Sequence, residues 1–215
     1  MRRLGVVMSS PLLVCYVAVR MPASRPLPTL ALALVPRAVA LNLALGAIAA
    51  ALKLPVYLDS VGTILVAALV GPLGGVVTGI VSNSVLGLLV SPQLFAFIPV
   101  TIVIGALAGV AARLGAFRSI PAAAAAGVVI GVAAALTSVP IVIALFGGVT
   151  PSGTGVITVA LRAVLGISLE RAAEIASLST DVLDKPLSCV LVALVIARLP
   201  RHLASRLRTA PPVRP

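Results

Sequence analysis

Charge is what this sequence lacks most. Of its 215 residues only 10% are Asp, Glu, Lys or Arg, against roughly 25% in ordinary soluble domains. Hydrophobic residues make up 60%, and the mean hydropathy is +1.23. So little polar surface cannot cover a folded chain in water, which excludes a soluble domain and leaves a polytopic membrane protein. Histidine is almost absent. The single His202 lies in a basic tail, so neither a His-based triad nor a metal cluster can be assembled, and the chain reads as a non-enzyme without a metal or cofactor. The two cysteines, Cys15 and Cys189, sit far apart inside apolar runs and read as buried, inert thiols rather than a disulfide. With no Trp, two Tyr and four Phe, little aromatic surface remains for stacking on a planar ligand.

What is present is a series of long apolar runs rich in Ala, Leu and Val. In lipid every backbone group must be paired internally, which leaves helices or a closed barrel. The runs do not alternate, so helices are expected. The formal charge of +11 does not indicate nucleic acid, because the basic residues fall in short clusters between or beyond the apolar runs. Residues 1–28 read as an N-terminal extension. It holds a basic start, an apolar run over Leu4–Val19 that is short for a span, and a Pro-rich lead-in at Pro22, Pro26 and Pro28; Met21 is a candidate start. A membrane domain over 29–200 and a basic tail over 201–215 follow.

The first span is expected over about Leu30–Leu52, with Arg37 near one membrane face and Asn42 deeper. The uncharged run 60–90 is interrupted at Gly71-Pro72. Read as two short or tilted spans joined by a cytoplasmic turn there, it allows spans at Phe95–Arg113, Ile120–Phe146 and from near Thr180 to Leu199. Both termini are then inside. That arrangement puts 12 of the 16 basic residues on the inner side and Lys53, Arg162, Arg171 and Lys185 outside; one span over 60–90 would reverse Arg113, Arg118 and the basic tail. The fold class expected is therefore an all-α bundle of six transmembrane helices, N-in and C-in.

A long outer connection precedes the last span. It opens with the Gly-rich loop 147–155. That loop lacks the Lys-Ser/Thr of a nucleotide-binding loop, and the chain has no ATPase motif with which to power transport alone. An amphipathic stretch over Val156–Leu178 follows. It lies on the outer membrane surface or caps the bundle. Asp181, Asp184 and Lys185 fall at i, i+3 and i+4, on one helix face at the expected outer mouth.

Small residues recur at four-residue spacing. Examples are Ala40/Ala44 and Ala47/Ala51 in the first span, Gly75, Gly79 and Gly87 around Asn83, Gly105/Gly109, and Gly127/Gly131. Such ladders let helices approach closely in lipid. Polar side chains in hydrocarbon must face a cavity or each other. Asn42, Asn83 and Ser138 are placed in the outer half as a pocket floor, with Tyr57, Asp59, Gln93, Asp181, Asp184 and Lys185 above them as a polar rim. Five of them have a packing alternative: an interhelical bond for Asn83, a bond to its own helix for Ser138, a helix cap for Asp59, and a cap and ion pair for Asp184 and Lys185.

An ordered set of motifs resembles a known family. It comprises Leu52-Lys-Leu-Pro-Val-Tyr-Leu-Asp-Ser-Val-Gly-Thr63, Gly71-Pro-Leu-Gly-Gly75, Asn83, Phe146-Gly-Gly-Val149 and Asp184-Lys185, within a six-helix pattern over about residues 30–200. It resembles the substrate-specific S components of energy-coupling factor (ECF) transporters. The resemblance implies a multi-pass protein of the bacterial plasma membrane that captures a vitamin or related micronutrient from outside. It implies as partners a membrane-embedded coupling protein and two cytoplasmic ATPases. The first-span positions Ala40, Ala44, Ala47 and Ala51 match those that dock on the coupling protein. The loops on the outer side, with the outer parts of the later helices, would line the substrate site. The scarcity of aromatics weighs against riboflavin and thiamine and towards a polar ligand or a nucleoside. The rival expectation is a membrane sensor or assembly module with no transported substrate.

Overall fold

The computed structural model describes residues 29–52, 54–150 and 152–199, and these are helical with no strand among them. Cys15, Lys53, His202, the extension 1–28 and the tail 201–215 lie outside the described residues. Among the described residues seven α-helices follow one another: α1 (Thr29–Ala51), α2 (Val61–Val70), α3 (Pro72–Leu89), α4 (Ile98–Arg113), α5 (Ile120–Phe146), α6 (Gly153–Leu165) and α7 (Leu169–Arg198). Two 3₁₀ turns, Pro92–Phe97 and Ala116–Arg118, lead into α4 and α5. Among the described residues four segments are long and apolar enough to cross a membrane: Ala33–Ala51, Pro72–Leu89, Pro92–Arg113 and Ile120–Phe146.

The elements end where the local chemistry stops them. Gly71 takes a positive φ of 116° and Pro72 occupies the first turn of α3, so the chain reverses between α2 and α3 without a loop. Ser119 caps α5 by accepting a hydrogen bond from the Ala122 amide (3.4 Å), and Gly147 closes the helix in the left-handed region at φ 57°.

One end of the molecule gathers the start of α1, the Gly71–Pro72 turn, the α4–α5 connection and the end of α7. Leu34, Val35 and Ala38 of α1 share a cluster there with Val66, Leu69 and Val70 of α2 and with Ile196 and Leu199. Gly109 of α4 lies directly against Pro72. The exposed Arg37, Arg113, Arg118 and Arg198 all belong to this end. Residues 90–97 and 147–150 form the opposite end, where the Phe97 and Phe146 rings lie 5.8 Å apart, and the 54–60 connection dips from that side to mid-bundle, so α1, α2, α3, α4, α5 and α7 alternate in direction.

Two expectations need correcting. α2 is 10 residues long, about 15 Å at the helical rise, or half of a roughly 30 Å hydrocarbon layer. Of the short or tilted alternatives it is the short one, and by itself it is too short to cross. Eight of its residues are buried, and it stands as a short central helix walled in by its neighbours. The last helix begins at Leu169 rather than near Thr180. The stretch Val156–Leu178 is thus not one amphipathic element but α6, a turn at Gly166 (φ 63°), and the first turns of α7. The reason is packing. Ala172, Ala173 and Ala176 are buried, so this part of α7 has an inner face of small residues.

α5 and α7 meet most closely at glycines. A Cβ on Gly131 would stand 2.5 Å from the Asp181 carbonyl oxygen, and one on Gly127 would strike the backbone of Pro186. The contacts fix the register. Asp181–Pro186 of α7 lie beside the middle of α5, and Leu169 lies beside Gly148, just past the end of α5.

Candidate functional site: a buried charged cluster at mid-bundle

Side chains on α7 are sorted the opposite way from those of a soluble protein. Leu183, Leu187, Leu191 and Leu194 are exposed, whereas Asp181, Asp184, Lys185 and Ser188 are 5, 0, 2 and 0% exposed. Charge turned inward and leucine turned outward is the arrangement that lipid selects. The three-and-four spacing read from sequence does put the charged residues on one face. Their depth differs from the expected rim at an outer mouth. They are enclosed, level with the middle of α5, and the connection between α1 and α2 comes down to meet them.

Asp184 is the point of attachment. Its Oδ1 accepts hydrogen bonds from the backbone amides of Tyr57 (3.0 Å) and Leu58 (2.8 Å), and its Oδ2 accepts from the Lys185 ammonium. An irregular segment at such depth leaves amides that no helix pairs, and lipid tolerates this only where protein satisfies them. Asp184 does so for two consecutive residues. Leu58 holds a positive φ of 53°, a left-handed conformation uncommon for a branched side chain, directly beside this attachment.

Lys185 balances the cluster. Besides Asp184, its ammonium stands 3.7 Å from Asp181 Oδ1 and 5.7 Å from the centre of the Tyr57 ring. The Tyr57 hydroxyl reaches across to Thr154 Oγ1 of α6 (2.6 Å), and Thr154 donates to Thr180 Oγ1 of α7 (3.3 Å). Asp59 lies over Gly46 of α1, where a Cβ would come within 3.3 Å of its own Cβ. It does not cap α2: Ser60 holds the cap position and no side chain bonds there. Two buried hydroxyls, Ser60 Oγ and Ser188 Oγ, have no hydrogen-bond partner among the described residues. Ser188 is one turn beyond Asp184 on the same face of α7.

The structure thus brings together Tyr57, Asp59, Asp181, Asp184 and Lys185. The other four candidates are engaged elsewhere. Asn42 ties three helices: its Nδ2 donates to Thr63 Oγ1 (3.0 Å) and Ser82 Oγ (2.9 Å), and its Oδ1 accepts from the Gly62 amide (2.6 Å). Asn83 donates to the Leu94 carbonyl (3.4 Å), holding the 3₁₀ turn over the end of α3. Ser138 donates to Ala135 of its own helix (3.2 Å), and exposed Gln93 pairs with Ser91 (3.4 Å).

Sequence reasoning missed the hydroxyl wall formed by Thr154, Thr158 and Thr180, all buried. A signal existed. Thr154 and Thr158 are one turn apart and are the hydroxyl residues of an otherwise apolar α6. The predicted docking positions Ala40, Ala44, Ala47 and Ala51 are all exposed and follow one face of α1. The chain matches no protein-family model, no curated protein and no solved structure.

Proposed function

We propose that this chain is a substrate-binding S component of an ECF-type importer in the bacterial plasma membrane. In this reading it crosses the membrane six times with both termini inside, the second crossing being made by α2 together with the irregular 54–60 connection, captures a vitamin or related micronutrient outside, and delivers it through a coupling protein and two ATPases. One observation carries the proposal. A charged and hydroxyl-rich cluster lies at mid-depth in an apolar bundle and is covered by the 54–60 connection rather than by a helix. A cover of this kind can lift without unfolding any span, so a small polar molecule can reach the cluster. Asp59, carried by the connection itself, and Asp181, held only at 3.7 Å by Lys185, are the groups that would meet it, with Tyr57 beside them. The exposed alanine stripe of α1 supports the second half of the reading, since small residues on a lipid-facing helix permit close approach of another membrane protein.

Purification of the full chain in mild detergent, followed by mass spectrometry of the extract, tests the proposal. A stoichiometric small molecule is expected with the wild type and is lost in Asp59→Ala with the fold retained. A wild-type chain that carries no ligand and binds none from a vitamin and nucleoside panel refutes it. The rival reading, a membrane sensor or assembly module without substrate, is favoured by the saturation of Asp184 and Lys185 by internal bonds. That rival predicts that Asp59→Ala changes nothing but stability.

A further inference from the structure

α6 is a helix turned inside out. Thr154, Gly155 and Thr158 are buried, while Val156, Val159, Val164 and Leu165 are 66, 53, 81 and 56% exposed. Ala160 and Ala163 are exposed on the same side. A helix lying in water above the bundle would bury its valines and show its threonines.

The register of the neighbouring helices sets its depth. The start of α6 is pinned low, where Thr154 meets Tyr57 and Thr180 and Gly153 meets the Leu54 carbonyl. Its end passes through Gly166 to Leu169, which lies beside Gly148 at the end of α5. α6 therefore runs back along the first turns of α7, level with the half of α5 between Gly131 and Phe146. That half of α5 has no charged residue and exposes Leu136 and Leu145. At 13 residues, α6 is about 20 Å long, close to the roughly 15 Å of one leaflet's hydrocarbon. The charges collect at its far end: Arg162 is exposed in its last turn, and Glu170, Arg171 and Glu174 are exposed in the first turns of α7. Arg162 can extend from an apolar stem to lipid phosphate at that level.

We infer that α6 is embedded in one leaflet, its valine face against acyl chains and Arg162 at the phosphates. It neither lies on the surface nor caps the bundle from water. Its threonine face is then the side wall that separates the charged cluster from lipid. The inference needs only the membrane character of the chain and is independent of what the cluster binds.

The natural absence of Trp makes a direct test possible. Val156→Trp, Val159→Trp and Val164→Trp are made singly in the full chain, with Glu170→Trp, the exposed position at the outermost turn of α7, as the aqueous control, and each is reconstituted into phosphatidylcholine nanodiscs. All three valine positions should lose most of their fluorescence when the lipid carries brominated acyl chains, and iodide should quench them little. Bromines near the chain ends should act most on Val156→Trp, and bromines near the headgroup most on Val164→Trp. Glu170→Trp should respond to iodide. Iodide quenching of the valine positions equal to that of the control overturns the inference. So does protection from both quenchers, which would mean that protein, a second copy included, covers this face. Three positions on an exposed face keep the test open should one variant fail to fold.

Discussion

Replacing Lys185 should harm this protein more than replacing Asp184, although Asp184 makes more hydrogen bonds. The structure supplies the count. Asp59, Asp181 and Asp184 surround one ammonium, and Lys185 and Asp184 are 2% and 0% exposed. Lys185→Met removes the cation and leaves three buried carboxylates facing one another. Breaking a buried pair from one side costs about 3–5 kcal/mol. Asp184→Asn has the same shape, and its carbonyl oxygen can still accept from Tyr57 and Leu58. It weakens charge-assisted bonds worth about 1.5–3 kcal/mol, yet it lowers the excess of negative charge. Thermal unfolding of the full chain in detergent, followed by loss of the monodisperse peak, should rank wild type above Asp184→Asn and that above Lys185→Met. The sign of the pH effect follows. Acid protonates carboxylates and removes the repulsion, so the deficit of Lys185→Met should shrink as pH falls from neutral, while that of Asp184→Asn should not shrink. A Lys185→Met protein as stable as the wild type, or more stable than Asp184→Asn, would refute the account of the lysine as the cluster's counter-charge.

Other expectations follow from named contacts. Asn42→Leu strands the Gly62 amide and two hydroxyls between α1, α2 and α3; unfolding in detergent should show a loss of about 1–3 kcal/mol, with affinity for any co-purified ligand unchanged. Gly127→Leu forces a side chain into the Pro186 backbone, and overpacking of about 1–3 kcal/mol or more should appear as poor recovery of folded protein on size exclusion. Tyr57→Phe deletes the 2.6 Å bond to Thr154; the stability change should be about 0.5–1.5 kcal/mol, while protease cleavage within 54–60 should become faster, because one of the ties on the connection is gone.

The span boundaries were the most legible part of the sequence. α5 runs over Ile120–Phe146, the range expected from its apolar run, and the break at Gly71-Pro72 separates two helices. These features are local, set by composition and by residues with restricted backbones. What was not legible depends on pairing across long separations. The spacing of Asp181, Asp184 and Lys185 shows that they share a face, but not how deep that face lies. Depth is set by Gly127 and Gly131 on another helix. Asn42 was legible as a polar residue in an apolar span. Its use as a three-helix tie required knowing that Gly62, Thr63 and Ser82 would come to it. The start of α7 was misplaced because Glu170, Arg171 and Glu174 drew attention to its outer face, whereas the alanines between them decide the packing.

The attachment of Tyr57 and Leu58 to Asp184 has a consequence for how the protein is made. The two amides and their acceptor are 127 and 126 residues apart, so the first connection emerges from the ribosome long before the helix that satisfies it. Until α7 arrives, α2 is a half-length helix with bare amides and nothing to hold it at mid-depth. It would be expected to remain near the membrane surface or to lean on a chaperone. Of the described helices the last is thus the one that seats α2, and a chain truncated before Asp184 should lose the order of the 54–70 segment as well as its end.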